Sequence, residues 1–306
     1  MSRSAANALL LLTGAIWGMA FVAQSTAMEA IGPFLFIALR FAVACVVVAP
    51  FALLEMRRAP RPMEVGDHKV HALVGVALFL GMAFQQVGLL TTTVTNSGFL
   101  TGLYVVFVPL IGIALFRQWP HPIVWPCIAL AVTGVAMLGG GLGSFAIGDL
   151  YTLICAAFWG LQVVLIGRFV RTSGRPIALA LMQFVVTTVL ASVVAIAIEP
   201  IEWEAITRVG WEILYTGTLA SGLAFTLQIV GQRYTTAPQA AIILSSESLF
   251  AALFGALVLG ERLGALGLAG CGLIFLAMLL VELVPMLRVV PAPRTPAAPL
   301  PDETVM

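Results

Sequence analysis

AIWGMAF, residues 15–21, comes back as AFWGLQV at 157–163. The offset is 142, and two further landmarks keep nearly the same spacing. GPFLFIALRF (32–41) lines up with RPIALALMQF (175–184), and GMAF (81–84) with GLAF (222–225). Likeness in order at a near-constant offset marks an internal repeat. Chance similarity among low-complexity apolar segments is the competing explanation.

What repeats is set by composition. Of 306 residues, 61% are hydrophobic and 9% charged, where soluble domains carry about 25% charged residues. A bilayer accounts for that deficit, because its solvent is apolar. Spans of about 20 apolar residues are expected at 7–27, 33–54, 70–90, 95–116, 122–140, 148–169, 176–198, 209–230, 237–259 and 263–285. The fold class is therefore an all-α integral membrane protein with ten transmembrane helices. Each half, 1–140 and 141–287, holds five. An odd number turns the second half over, so the repeat is inverted, an arrangement many secondary transporters use with the substrate at the repeat interface. Residues 288–306, rich in Pro and Ala, are expected to form a disordered cytoplasmic tail. MSRSAANALLLLTGAIW, with STA at 25–27, also fits a cleaved signal peptide; cleavage would leave nine spans and destroy the repeat.

Lys and Arg placement orients the spans. With the N-terminus in the cytoplasm, Arg208 and Arg262 fall outside, Arg40 lies within a span, and the other twelve of the fifteen fall inside. Both termini are thus expected in the cytoplasm. The net charge of +1 gives no basic surface for nucleic acid. Cys45, Cys127, Cys155 and Cys271 lie in apolar runs and read as small hydrophobes, not as disulfides or metal ligands.

Polar and aromatic stripes at helical spacing mark interior faces. Ser97, Thr101 and Tyr104 share one face of the fourth span, and the repeat sets Tyr104 opposite Glu247. Thr13, Trp17 and Gln24 share a face of the first, and Trp17 pairs by repeat with Trp159. Gln85 follows Gly81 by one turn. Pro109 is expected to kink the fourth span. The glycines at 14, 18, 98 and 102 permit close helix approach. Glu247 lies roughly 13 Å along its helix from Pro238, deep in a core about 30 Å thick. It is either functional or satisfied by Ser245, Ser246 or Ser248. Arg40 adds about +2.5 to +3.5 kcal/mol to insertion, against roughly −4 to −8 from the thirteen Leu, Ile, Val and Phe of its span. It either snorkels outward or faces the cavity and offers its charge to a carboxylate, that of Glu247 or of a substrate.

WG in the first span, LRF in the second, SES in the ninth and LGERL at 259–263 resemble, in order and spacing, the EamA-type ten-helix branch of the drug/metabolite transporter superfamily. The resemblance covers residues 7–285. It implies a bacterial inner-membrane carrier, often an exporter of amino acids or related metabolites. Two positions depart from the pattern. Ser248 stands where many relatives have proline, and Gln118 where a glutamate like Glu261 is often found. The expected substrate-binding set is Trp17, Arg40, Gln85, Thr101, Tyr104, Trp159 and Glu247. The partners expected are a small-molecule substrate and the lipid bilayer, with a monomer as the working unit and no cofactor or metal. A channel-like facilitator and a multidrug exporter are the alternatives. An intramembrane enzyme is the remote one: Ser221 would need a base, and His68, His71 and His121 are all expected in cytoplasmic loops.

Overall fold

A segment surrounded by lipid must satisfy its own backbone N–H and C=O groups, which long apolar runs do as helices. The computed structural model describes residues 1–59, 63, 65–138, 146–260, 262 and 264–287. Among these all regular structure is helical. The helices are α1 (Arg3–Ala27), α2 (Pro33–Arg58), α3 (Val65–Leu89), α4 (Val94–Gly102), α5 (Tyr104–Phe116), α6 (Val124–Leu138) and α7 (Ile147–Ser173). Then come α8 (Pro176–Ile198), α9 (Trp203–Arg208), α10 (Gly210–Tyr215), a π-helical segment (Thr216–Leu223), α11 (Ala224–Gln232), α12 (Ala237–Leu244), α13 (Ser246–Val258) and α14 (Ala265–Leu287). Glu261, Arg61, residues 139–144 and the tail 288–306 lie outside the described residues.

Among the described residues, eight helical stretches are long and apolar enough to cross a membrane, so the chain is a multi-pass membrane protein. The expected fifth and tenth spans appear as shorter apolar stretches, Val124–Gly134 and Ala265–Val281. The fourth and ninth spans are each broken in two. The breaks fall at Leu103 (φ −64°, ψ −8°) and Ser245 (φ −61°, ψ −9°), within about one residue of each other in the repeat register and alike in backbone. At each, the chain tightens to an i→i−3 bond: Val106 N–H to Leu103 O at 2.9 Å, Ser248 N–H to Ser245 O at 3.1 Å. Pro109 lies inside α5, beyond the break it was expected to cause. His68 and His71 belong to α3, not to a loop, and His71 is buried.

The packing follows the repeat. α1 lies against α13 as α7 lies against α5, and α2 against the π-helical segment as α8 against α3. Each half thus sends its first helix into the other half's bundle. Glycines set the approach. A methyl on Gly217 would meet Arg40 O at 2.8 Å and Val43; one on Gly75 would meet Gln183 Cα at 3.0 Å and Val186. Those neighbours are themselves repeat mates.

α2 and α8 run antiparallel and are fastened at both ends. Glu199, just past α8, accepts hydrogen bonds from Phe34 N–H (2.9 Å) and Leu35 N–H (2.7 Å) at the start of α2. Glu55, near the end of α2, accepts from Ala178 N–H (2.8 Å) at the start of α8. Each helix begins with proline, which leaves fewer N–H groups to satisfy. The carboxylates take donors that have no intrahelical partner, where the helix dipole also favours negative charge.

Candidate functional site

Between the halves lies a narrow cavity. Its aromatic wall comes from α1, α7 and α11. Trp17 and Trp159 meet with ring centroids 5.8 Å apart, and Phe225 lies 4.7 Å from Trp17 and 5.4 Å from Trp159, stacked on the latter at 10°. Phe41 and Phe184, another repeat pair, back this cluster at 6.0 and 6.1 Å from Phe225. Such pairs add about 0.5–1.5 kcal/mol each beyond area burial.

The two tryptophans are held differently. Ala224 N–H bonds Leu219 O, five residues back. Where π-helical bonding returns to α-helical bonding, one carbonyl is passed over. Trp17 Nε1–H donates to Ala220 O at 2.9 Å. Thr13, one turn away on the same face, has Leu9 O of its own helix as its nearer acceptor at 2.9 Å and Ala224 O as a longer one at 3.3 Å. Trp159 Nε1 has no such acceptor.

Arg40 does not snorkel. It is 2% exposed and points into the bundle. Its Nε donates to Ser221 Oγ (3.0 Å) and its Nη1 to Gln24 Oε1 (2.7 Å). The guanidinium also lies over the rings of Phe36 and Phe41, 5.7 and 5.2 Å from their centroids, a further attraction for a cation. Those two hydrogen-bond acceptors are neutral, so they fix the charge without cancelling it. The guanidinium and Gln24 line the cavity.

Glu247, 3% exposed, lines the same cavity from the first turn of α13. It owes that position to the break at Ser245. The neighbouring serines do not satisfy it: Ser245 Oγ donates to Ile242 O, Ser248 Oγ to Gly98 O, and Ser246 Oγ has no partner. Tyr104, at the first turn of α5, stands beside it. Neither the Tyr104 hydroxyl nor Glu247 Oε1 makes a well-formed hydrogen bond. Ser248, where the family pattern has proline, instead ties α13 to the backbone of α4.

Of the seven residues singled out in the sequence, Trp17, Arg40, Gln85, Tyr104, Trp159 and Glu247 line this cavity. Thr101 does not; it accepts a hydrogen bond from Gln85 Nε2 at 3.2 Å and so holds a residue that does. Sequence reasoning missed Ser221 as the partner of Arg40. It also missed a buried carboxamide cluster. Gln228 Nε2 donates to Gln162 Oε1 (3.1 Å), and Gln162 Nε2 donates to Gln183 Oε1 (3.2 Å). One signal was present: Gln183 is the residue aligned with Arg40 in the repeated decapeptide.

Residues 4–140 and 146–283 each match the model of the EamA-like transporter family. An uncharacterized transporter of Archaeoglobus fulgidus is 35% identical over 283 residues, which cover 92% of this chain and 87% of that protein. A protein of known crystal structure, 21% identical, superimposes with a TM-score of 0.74 over 94% of this chain and 100% of its own, a likeness of fold.

Proposed function

The chain belongs to the EamA-like transporter family, and from that premise we propose that it is a secondary carrier of the bacterial inner membrane. It exports a small zwitterionic metabolite, an amino acid or a close relative, by alternating access through the Trp17–Trp159 cavity. One observation carries this reading: a single cavity presents a guanidinium and a carboxyl group that are not spent on each other. Arg40 offers the planar fork that suits a carboxylate. Glu247 offers an acceptor for an ammonium group, and the Tyr104 hydroxyl stands ready to share it. Trp17, Trp159 and Phe225 supply apolar bulk between the charges, and Gln85, steadied by Thr101, a polar edge.

The halves 1–140 and 141–287 are read as inverted five-helix repeats, with both termini cytoplasmic by the Lys and Arg bias. The paired breaks at Leu103 and Ser245 support this, because transporters of that design build their sites on discontinuous helices at the repeat interface. No step here is catalytic: binding free energy, not chemistry, drives the change of state.

Counterflow in proteoliposomes tests the reading. Zwitterionic amino acids are expected to saturate uptake and to exchange across the bilayer, whereas polyamines and nucleosides compete poorly. Flux without saturation or exchange would make the protein a channel, and competition by bulky cations alone would make it a multidrug exporter.

A further inference from the structure

Gln228, from α11, lines the same cavity as Arg40 and Glu247. It is fully buried, as are Gln162 of α7 and Gln183 of α8. Three carboxamides in the lipid-spanning part of a bundle are costly unless every donor and acceptor is used. Here they are not. Gln228 Nε2 donates to Gln162 Oε1 at 3.1 Å, while its own carbonyl oxygen, with two lone pairs to fill, accepts one long hydrogen bond, from Gln162 Nε2 at 3.5 Å. The other N–H of that Nε2 goes to Gln183 Oε1, at 3.2 Å. Gln183 Nε2 has no partner at all. Methionine or leucine would fill the same volume without any unmet hydrogen bond. The cluster therefore turns the amide nitrogen of Gln228 away and leaves an under-used carbonyl oxygen on a residue that lines the cavity.

We infer that Gln228 is a specificity-determining residue. Its Oε1 accepts a hydrogen bond from an uncharged donor, a hydroxyl or primary amide, on the side chain of the carried zwitterion. Gln162 and Gln183 are positioning residues that act through it. This rests on the carrier function proposed above and adds a third contact to the two charged ones. A site built to hydrogen-bond a polar group rejects the analogue lacking it, because its own buried group is then left unpaired.

The test is a competition series in the same proteoliposomes. Pairs of zwitterions matched in size but differing in the donor, asparagine against leucine and threonine against valine, are compared in wild type, Gln228→Met and Gln183→Met. Wild type is expected to favour the donor-bearing member by about tenfold or more. In Gln228→Met the ratio falls toward one, through a higher half-saturating concentration for the donor-bearing solute at similar maximal flux. Gln183→Met shifts the ratio the same way by less. An equal decline for both members, with reduced membrane abundance, would make the amides interhelical glue and overturn the inference. A wild type without preference within the pairs overturns it too, while leaving the carrier reading intact. If no zwitterion competes, the carrier reading falls and takes the inference with it.

Discussion

Arg40 and Gln183 hold the same place in the two halves and face opposite circumstances. Both lie about two turns into a helix that starts with proline, both are fully packed, and both sit where a glycine of a neighbouring span comes close. Arg40 is charged and has its hydrogen bonds to Gln24 and Ser221. Gln183 is neutral and keeps an unused donor. The segment beside Arg40 is π-helical, whereas its mate beside Gln183, residues 74–81, is ordinary α-helix. The helix packing obeys the repeat, whereas the chemistry and this one backbone segment do not. That division suits a carrier: interchangeable halves permit two mirrored states, but a solute with distinct ends needs a lopsided site.

The comparison breaks first, and by the largest margin, at Arg40. Arg40→Leu and Arg40→Lys are both expected at normal membrane abundance, since leucine inserts better by roughly 3 kcal/mol. Both should lower counterflow by about tenfold or more, because neither keeps two directed N–H bonds and a free face for a carboxylate. Wild-type flux in Arg40→Lys would reduce the residue to an anchor and erase the contrast with Gln183.

The symmetric half of the comparison is tested at the glycines. Gly217→Ala presses on Arg40 O and Val43, and Gly75→Ala on Gln183 Cα and Val186. Each is expected to destabilise by about 1–3 kcal/mol, seen as matched falls in thermal unfolding temperature in detergent. A large fall in one and none in the other would mean that the two interfaces are not equivalent.

The smallest effect separates the tryptophans. Trp17→Phe deletes a bond to Ala220 O, whereas Trp159→Phe deletes none. The first should therefore destabilise by about 1 kcal/mol more than the second, measured in the same unfolding series. Equal losses would show that the indole of Trp17 stabilises by bulk alone.

Much of this was legible in the sequence. The repeated WG, the apolar run lengths and the polar stripes pointed to the all-helical membrane fold, two halves and six residues of the cavity. What stayed hidden is non-local. The breaks at Leu103 and Ser245 carry no proline, so only tertiary packing marks them. Gln162, Gln183 and Gln228 look like scattered polar residues on three spans until folding gathers them. Ser221 resembled an isolated serine because its partner lies 181 residues away. Glu55 and Glu199 fall just past the ends of the expected spans 33–54 and 176–198, and the helix ends they cap are 123 and about 165 residues distant.

Those two carboxylates have a mechanical consequence. A helix pair pinned at one end pivots there like scissors; pinned at both, and antiparallel, it resists splaying and sliding alike. A shift of one residue along the axis moves the contact by about 1.5 Å, more than a hydrogen bond tolerates, and it would strain both pins together. The α2–α8 pair is thus a stiff strut, and in the alternating-access cycle proposed above the travel would fall to other helices, the jointed α4–α5 and α12–α13 among them.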